Sequence, residues 1–204
     1  MIDLYAAGTS NGMRARIALE ECGLKYRWHP VDLTKGEHQT KEFLALNPNG
    51  QIPVIVDDEG PGGKKITLSQ SSAIMVYCAE KSGQFIPADP AKKAAMLEAY
   101  MSASTDITPM FGTVNNILRS KEPHLPTANL FRSRLREYFK VWDAKLGSRK
   151  YAAGEEITIA DFSLYAGYWR TQGALPDVVG GLPKLERWAA EIAARPAVQR
   201  AVKL

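Results

Sequence analysis

The sequence is short of the residues from which most recognisable catalytic centres are built. Cys22 and Cys78 are its only cysteines, lie far apart and sit in no C-x-x-C, so count alone excludes a disulfide scaffold and a cysteine zinc site. The histidines His29, His38 and His124 are too scattered for a local metal motif. There is no G-x-x-x-x-G-K-[ST], no G-x-G-x-x-G after a strand and no G-x-S-x-G elbow, and Gly60-Pro61-Gly62-Gly63-Lys64 reads as a hairpin turn. A hydrolase or metalloenzyme would therefore need unsignalled parts. No run approaches the ~18 uninterrupted apolar residues of a membrane span. Met1-Ile2-Asp3-Leu4-Tyr5 lacks the basic region and apolar core of a secretion signal. The expectation is a cytoplasmic protein with reduced thiols, no metal and no membrane partner.

What remains is the balance of a globular protein, with 45% hydrophobic and 24% charged residues. At 204 residues the chain has room for one large domain or two small ones. Charge marks the division: residues 1–82 carry net −1 and residues 83–204 net +5, with nine basic residues between Arg119 and Lys150. Such a run reads first as a solvated helix face and second as an attractor of small anions. Nucleic acid is not an expected partner, because no finger, RNP-type or basic-zipper pattern accompanies the charge.

The first eighty residues alternate strand and helix patterns. Ile2–Ala6 reads as a strand, Arg14–Cys22 as a helix closed by Gly23, Tyr26–Val31 as a strand, and Thr40–Leu46 as a short helix stopped by Asn47-Pro48. Two further strands, Pro53–Val56 and Ile66–Leu68, flank the Gly-rich turn, and Ser72–Lys81 is a helix ending before Gly83. The order β-α-β-α-β-β-α predicts an α/β unit with parallel first connections. Gln84–Pro90 reads as a linker. The rest is helical, over Ala91–Arg119 (bent near Pro109), Ala128–Leu146, Ile159–Gln172, Leu185–Ala194 and Ala197–Val202.

Three segments carry possible chemistry. Thr9-Ser10-Asn11-Gly12 falls at the start of the first helix, where unpaired N–H groups and the dipole favour an anion. Its plain structural reading is N-capping by Ser10 or Asn11, and its functional one a hydrogen bond that lowers the pKa of a bound thiol. Asn47-Pro48-Asn49-Gly50-Gln51-Ile52-Pro53 precedes a strand, and a cis Ile52-Pro53 bond would turn the Ile52 backbone to an open edge where a peptide can pair. An ordinary trans proline at a strand start is the simpler alternative. Ser69-Gln70-Ser71-Ser72 opens another helix, suited to a carboxylate or to simple capping.

The run Asn47–Pro53, then Leu68-Ser69-Gln70-Ser71-Ser72-Ala73-Ile74 and the linker, resembles a cytosolic glutathione transferase across essentially the whole chain. Thr158-Ile159-Ala160-Asp161 matches that family's [ST]-x-x-D helix cap. The resemblance implies a thioredoxin-like glutathione-binding domain at 1–83, a linker at 84–90 and an all-helical domain at 91–204. It implies that the Ile52 backbone ahead of Pro53 pairs with the cysteinyl unit of glutathione, that Gln70 and Ser71 hold the γ-glutamyl end, and that His38 and Gln51 serve the rest of the tripeptide. Many members carry Glu-Ser where this chain has Gln70-Ser71. Tyr5 lies too early in its strand to be the activating tyrosine of alpha- or pi-type members. Thr9-Ser10-Asn11-Gly12 is most similar to the Thr-x-Asn-Gly pattern of the bacterial nu class, with Ser10 where proline is usual, and theta-like relatives come second. The implied catalytic group is Thr9, Ser10 or Asn11. The implied cosubstrate is glutathione, and the partners are an electrophile, peroxide or disulfide and a second copy of the chain. The competing expectation is a non-catalytic glutathione-binding or regulatory module of the same fold.

Overall fold

The computed structural model describes residues 1–203. The chain forms two compact units, one of residues 1–84 with the final segment from Pro196, the other Phe85–Arg195.

In the first unit the strands β1 (Ile2–Ala6), β2 (Tyr26–Pro30), β3 (Val54–Asp57) and β4 (Ile66–Ser69) form one sheet in the order β2-β1-β3-β4. β1 pairs parallel with β2, whereas β1–β3 and β3–β4 are antiparallel. The parallel pair is joined through the crossover helix α1 (Ser10–Glu21), the kind of connection that parallel neighbours need. β3 is buried along its whole length, which explains why Val54-Ile55-Val56 reads as an unbroken apolar run. The short helix α2 (Lys41–Leu46) covers one part of the sheet through Phe43, which packs with Val31, Val54, Tyr5, Leu46 and Ile52. Helix α3 (Ser71–Ser82) packs against α1.

α1 begins four residues before its predicted start. Thr9, rather than Ser10 or Asn11, is the N-cap, and its hydroxyl oxygen accepts from Gly12 N–H at 3.1 Å. The helix stops as expected at Gly23, whose φ of 64° lets Leu24 N–H return to the Leu19 carbonyl at 3.0 Å.

The second unit holds α4 (Pro90–Met101), a π-helical turn (Ser102–Ile107), α5 (Thr108–Leu118), α6 (Leu125–Lys145), α7 (Ile159–Ala174), α8 (Pro176–Val179) and α9 (Pro183–Ala193). The long predicted helix breaks at the π turn, ahead of Pro109, which sits harmlessly in the first turn of α5. α7 is buried from Ile159 through Tyr168, the pattern of a helix enclosed by others. Its cap is the reciprocal box read from Thr158 and Asp161. Asp161 is fully buried and also accepts from Ala152 N–H at 2.7 Å and Trp188 Nε1–H at 3.0 Å, so one carboxylate joins three segments.

The last helix, α10 (Pro196–Val202), follows the helical domain in sequence and lies in the first compact unit. It buries Val198 and Ala201 and packs on α1. Arg200 Nε meets Glu20 Oε2 at 2.7 Å, and Arg16 Nη1 donates to the Lys203 carbonyl at 2.8 Å. Nothing in the short apolar stripe of this helix announces which unit it covers.

Candidate functional site

The sheet register brings the three segments singled out from sequence to one end of the sheet. Tyr5 and Ser69 both lie opposite Val54, so the chain leaving β1 toward Thr9, the chain entering β3 at Pro53 and the chain leaving β4 at Gln70 are neighbours. The Ile52-Pro53 bond is cis. Among the described residues, no hydrogen bond engages the Ile52 N–H or C=O. An extended peptide can pair with such a backbone.

Ser71 Oγ donates to Asn11 Oδ1 at 3.3 Å, which ties the first turn of α3 to that of α1. The starts of α1 and α3 thus lie beside the chain that enters β3 at Pro53. Thr9 Oγ1 takes the Gly12 N–H as acceptor, leaving its own O–H to donate elsewhere. Gln70 adopts φ 72°, ψ 111°, outside the ordinary regions for a residue with a Cβ, and its exposed side chain makes no capping bond.

Gln51, Ile52 and Pro53 are held from behind by Asn47, a residue whose role the sequence reading missed. Asn47 is buried and its Nδ2 donates to the Gln51 carbonyl at 2.6 Å. The turn signal Asn-Pro-Asn-Gly was visible, but not that its first side chain reaches four residues ahead. A second brace comes from Gln39, whose Nε2 donates to the Gly50 carbonyl at 3.3 Å. Next to it, on a 3-10 turn spanning Glu37–Gln39, His38 keeps a buried Nδ1 without a hydrogen-bond partner among the described residues. Among the described residues, no hydrogen bond joins Ser10 or His38 to the Asn11–Ser71 pair.

Tyr5 is excluded as an activating phenol by its place. It lies within β1, stacked on His29 with ring centroids 4.5 Å apart and the planes 13° off parallel. The chain's own thiols are no better placed: burial pushes both Cys22 and Cys78 up, so neither is a ready thiolate. A reactive thiolate at this site has to arrive with a bound thiol. Among the described residues, no cluster of three or more His, Cys, Asp or Glu is placed to hold a metal ion.

In the second unit, Arg132 is one of the nine basic residues between Arg119 and Lys150 and is not a free cation. It pairs with Asp177, while Arg136 Nη1 donates to the carbonyls of Asp177, Val178 and Gly180 at the end of α8. Phe111, Tyr165 and Tyr168 are buried in the core of that unit, and Trp169 is half-buried.

The chain matches the glutathione S-transferase N-terminal domain over residues 10–81 and the glutathione S-transferase C-terminal domain over residues 105–203. It is 32% identical to disulfide-bond oxidoreductase YfcG of Escherichia coli, over 99% of this chain and 94% of that protein. It is 33% identical to glutathione S-transferase 3 of Zea mays, over 98% of this chain and 93% of that one. A glutathione transferase family member from Pseudomonas fluorescens, solved with two glutathione bound, has a TM-score of 0.94 at 33% identity, covering 99% of this chain and 92% of that one. A Pseudomonas putida glutathione transferase, solved with one glutathione disulfide per subunit, has a TM-score of 0.91 at 32% identity, covering 100% and 91%. With both halves matched and a thioredoxin-like sheet followed by a helical unit, the chain belongs to the glutathione S-transferase family.

Proposed function

We propose that this protein binds glutathione against the Ile52 backbone, lowers the pKa of its thiol at the start of α1, and uses the thiolate to reduce disulfides. The observation that carries the reading is the unpaired Ile52 peptide flanked by two hydrogen-bonded helix starts. The cysteinyl unit adds to that backbone as a short strand. The γ-glutamyl carboxylate meets the first amides of α3 with Gln70 and Ser71, and the glycyl end lies toward Gln51 and His38, whose buried Nδ1 lacks a partner among the described residues.

A thiol with pKa ~8.5 is only a few per cent ionised at neutral pH. Lowering that by two units takes ~2.7 kcal/mol of differential binding. One charge-assisted hydrogen bond from Thr9, Ser10 or Asn11 plus the helix terminus is of that size. The thiolate then attacks one sulfur of a disulfide; a new S–S bond forms and the other sulfur leaves with the electron pair, taking up a proton. A second glutathione thiolate attacks the glutathione sulfur of that mixed disulfide, so glutathione disulfide forms and the second substrate thiol is released. Cys22 and Cys78 take no part, being buried and protonated.

The Thr9-x-Asn11-Gly12 pattern and the disulfide-bond oxidoreductase relatives favour reduction and a nu-class assignment over fast conjugation. The protein is proposed to act in the cytoplasm, where reduced glutathione and unpaired cysteines belong. No helix among the described residues is long and apolar enough to cross a membrane. Exposed Leu97 and Met101, one turn apart on α4, offer an apolar strip that a homodimer would cover.

The deciding experiment is a substrate panel with glutathione. Turnover of a small mixed disulfide well above that of an aryl halide or hydroperoxide is expected. Retention on immobilised glutathione with no turnover of any of the three would replace this reading with that of a binding module.

A further inference from the structure

Arg14 is the least expected residue of α1. It stands one turn after Asn11, on the same helix face, yet only 1% of it is exposed. Neighbouring Arg16 has the same chemistry but is only half-buried, so sequence pattern alone does not separate the two. A guanidinium carries five N–H donors and no acceptor. The atom of the Asn11 carboxamide that faces it must therefore be oxygen, and Arg14 Nη1 lies 3.4 Å from Asn11 Oδ1. The same oxygen takes the Ser71 hydroxyl at 3.3 Å. A hydroxyl can turn to suit either end of an amide, whereas a guanidinium cannot.

With Oδ1 engaged twice, the planar carboxamide sends Nδ2 and its two hydrogens the other way. No group among the described residues accepts from Nδ2, and Asn11 is half-buried. The result is an oriented donor at the start of α1, held by a buried cation and a hydroxyl from α3.

We propose that Arg14 is a positioning residue for the thiol step: with Ser71 it locks the Asn11 carboxamide so that its NH2, and not its carbonyl, meets the thiolate of bound glutathione. This rests on the glutathione reading above. It selects Asn11 among the three candidate donors. An amide free to flip would turn its carbonyl dipole toward the anion for part of the time and so raise the pKa that the site needs to lower. Arg14 acts through Asn11, not by touching sulfur.

The test is an ultraviolet titration of the thiolate of bound glutathione, with S-methylglutathione binding as a parallel measure of the pocket. Failure of the unaltered protein to bind S-methylglutathione would remove the glutathione reading itself. If binding is intact, Asn11→Asp is the informative change, since it keeps an oxygen for Arg14 and Ser71 but replaces the donor. It is expected to raise the bound thiol pKa by about one unit or more, a tenfold loss in ionisation, with S-methylglutathione affinity held within about twofold. Arg14→Met is expected to raise that pKa in the otherwise unaltered chain and to add nothing in an Asn11→Ala background. An equal rise in both backgrounds would show Arg14 acting directly by charge, and an unmoved titration in Asn11→Asp would remove the oriented donor; either overturns the proposal. Should Arg14→Met not fold, Arg14→Lys is titrated in the same two backgrounds and read in the same way.

Discussion

Asn47 donates to the carbonyl of Gln51 at 2.6 Å while its own Oδ1 takes the Asn49 N–H at 3.2 Å, so one buried side chain closes the loop that delivers Ile52. Its removal leaves a carbonyl and an amide without their partners. Asn47→Ala is expected to cost about 1–3 kcal/mol of stability. It should also weaken glutathione binding, because the peptide proposed to pair with the ligand loses its brace. Asn47→Asp keeps the acceptor for Asn49 but faces the Gln51 carbonyl with a second oxygen, and should be no better. Urea unfolding beside a glutathione titration checks both, and wild-type affinity in a destabilised Asn47→Ala would detach this loop from binding.

Gly12 makes a close approach that no side chain fits. A Cβ there would lie 2.1 Å from the Ala7 carbonyl oxygen, which is backbone and cannot swing aside. Gly12→Ala must push the β1–α1 connection open, at about 1–3 kcal/mol. Thr9 also loses its cap geometry, since its oxygen accepts from that same residue's N–H. The expected outcome is a folded but less stable protein whose bound thiol titrates near the free value. Differential scanning calorimetry and thiolate absorbance read the two effects separately.

Gln70 invites the opposite trade. Its φ of 72° is unfavourable for a residue with a Cβ and costs nothing for glycine. Gln70→Gly is expected to stabilise the protein by about 1 kcal/mol while lowering glutathione affinity, through loss of the side chain proposed to hold the γ-glutamyl end. Stability unchanged or lowered would show that this backbone is relaxed by its surroundings.

These positions show what was legible beforehand. Strand runs such as Val54-Ile55-Val56 and stop signals such as Gly23 act locally, so the α/β unit and its element order can be read from the sequence. The capping box at Thr158 and Asp161 is equally local. Contacts made across the sheet were not legible. Asn11 with Ser71 spans sixty residues, and its existence depends on β3 lying between β1 and β4. The burial of Arg14 and the return of α10 to α1 depend likewise on packing that no periodicity encodes. The start of α1 was misplaced because Thr9-Ser10-Asn11 offers three capping side chains in a row, and only the backbone decides which is used.

The far end of the sheet supplies a prediction about acid. Asp57 is 1% exposed at the end of β3, with Tyr77 Oη donating at 2.6 Å, Lys81 Nζ at 2.9 Å and the Glu59 N–H at 2.9 Å. Burial works to raise its carboxyl, but the Tyr77 hydroxyl, the Glu59 amide and Lys81 together outweigh burial and hold it below the ordinary 3.8. Asp3 is lowered too, chiefly by its paired hydrogen bonds from Arg27 at 2.7 and 2.8 Å, with His29 adding to them. A lowered carboxyl pKa means that the unfolded chain binds its proton first as pH falls. The stabilisation is therefore complete above the ordinary value and lost as pH drops through the folded one. Burial and the Asp57 carboxylate push the Tyr77 phenol up, so it remains a donor throughout. Tyr77→Phe removes one of the three donors from a buried carboxylate, at about 2 kcal/mol near neutral pH. It should also move the onset of acid unfolding to higher pH, because burial then meets less opposition. Asp57→Asn should instead flatten the acid limb while lowering stability at neutral pH. Unfolding free energies across the acid range distinguish these curves, and an acid limb unmoved by either substitution would assign it to other carboxylates.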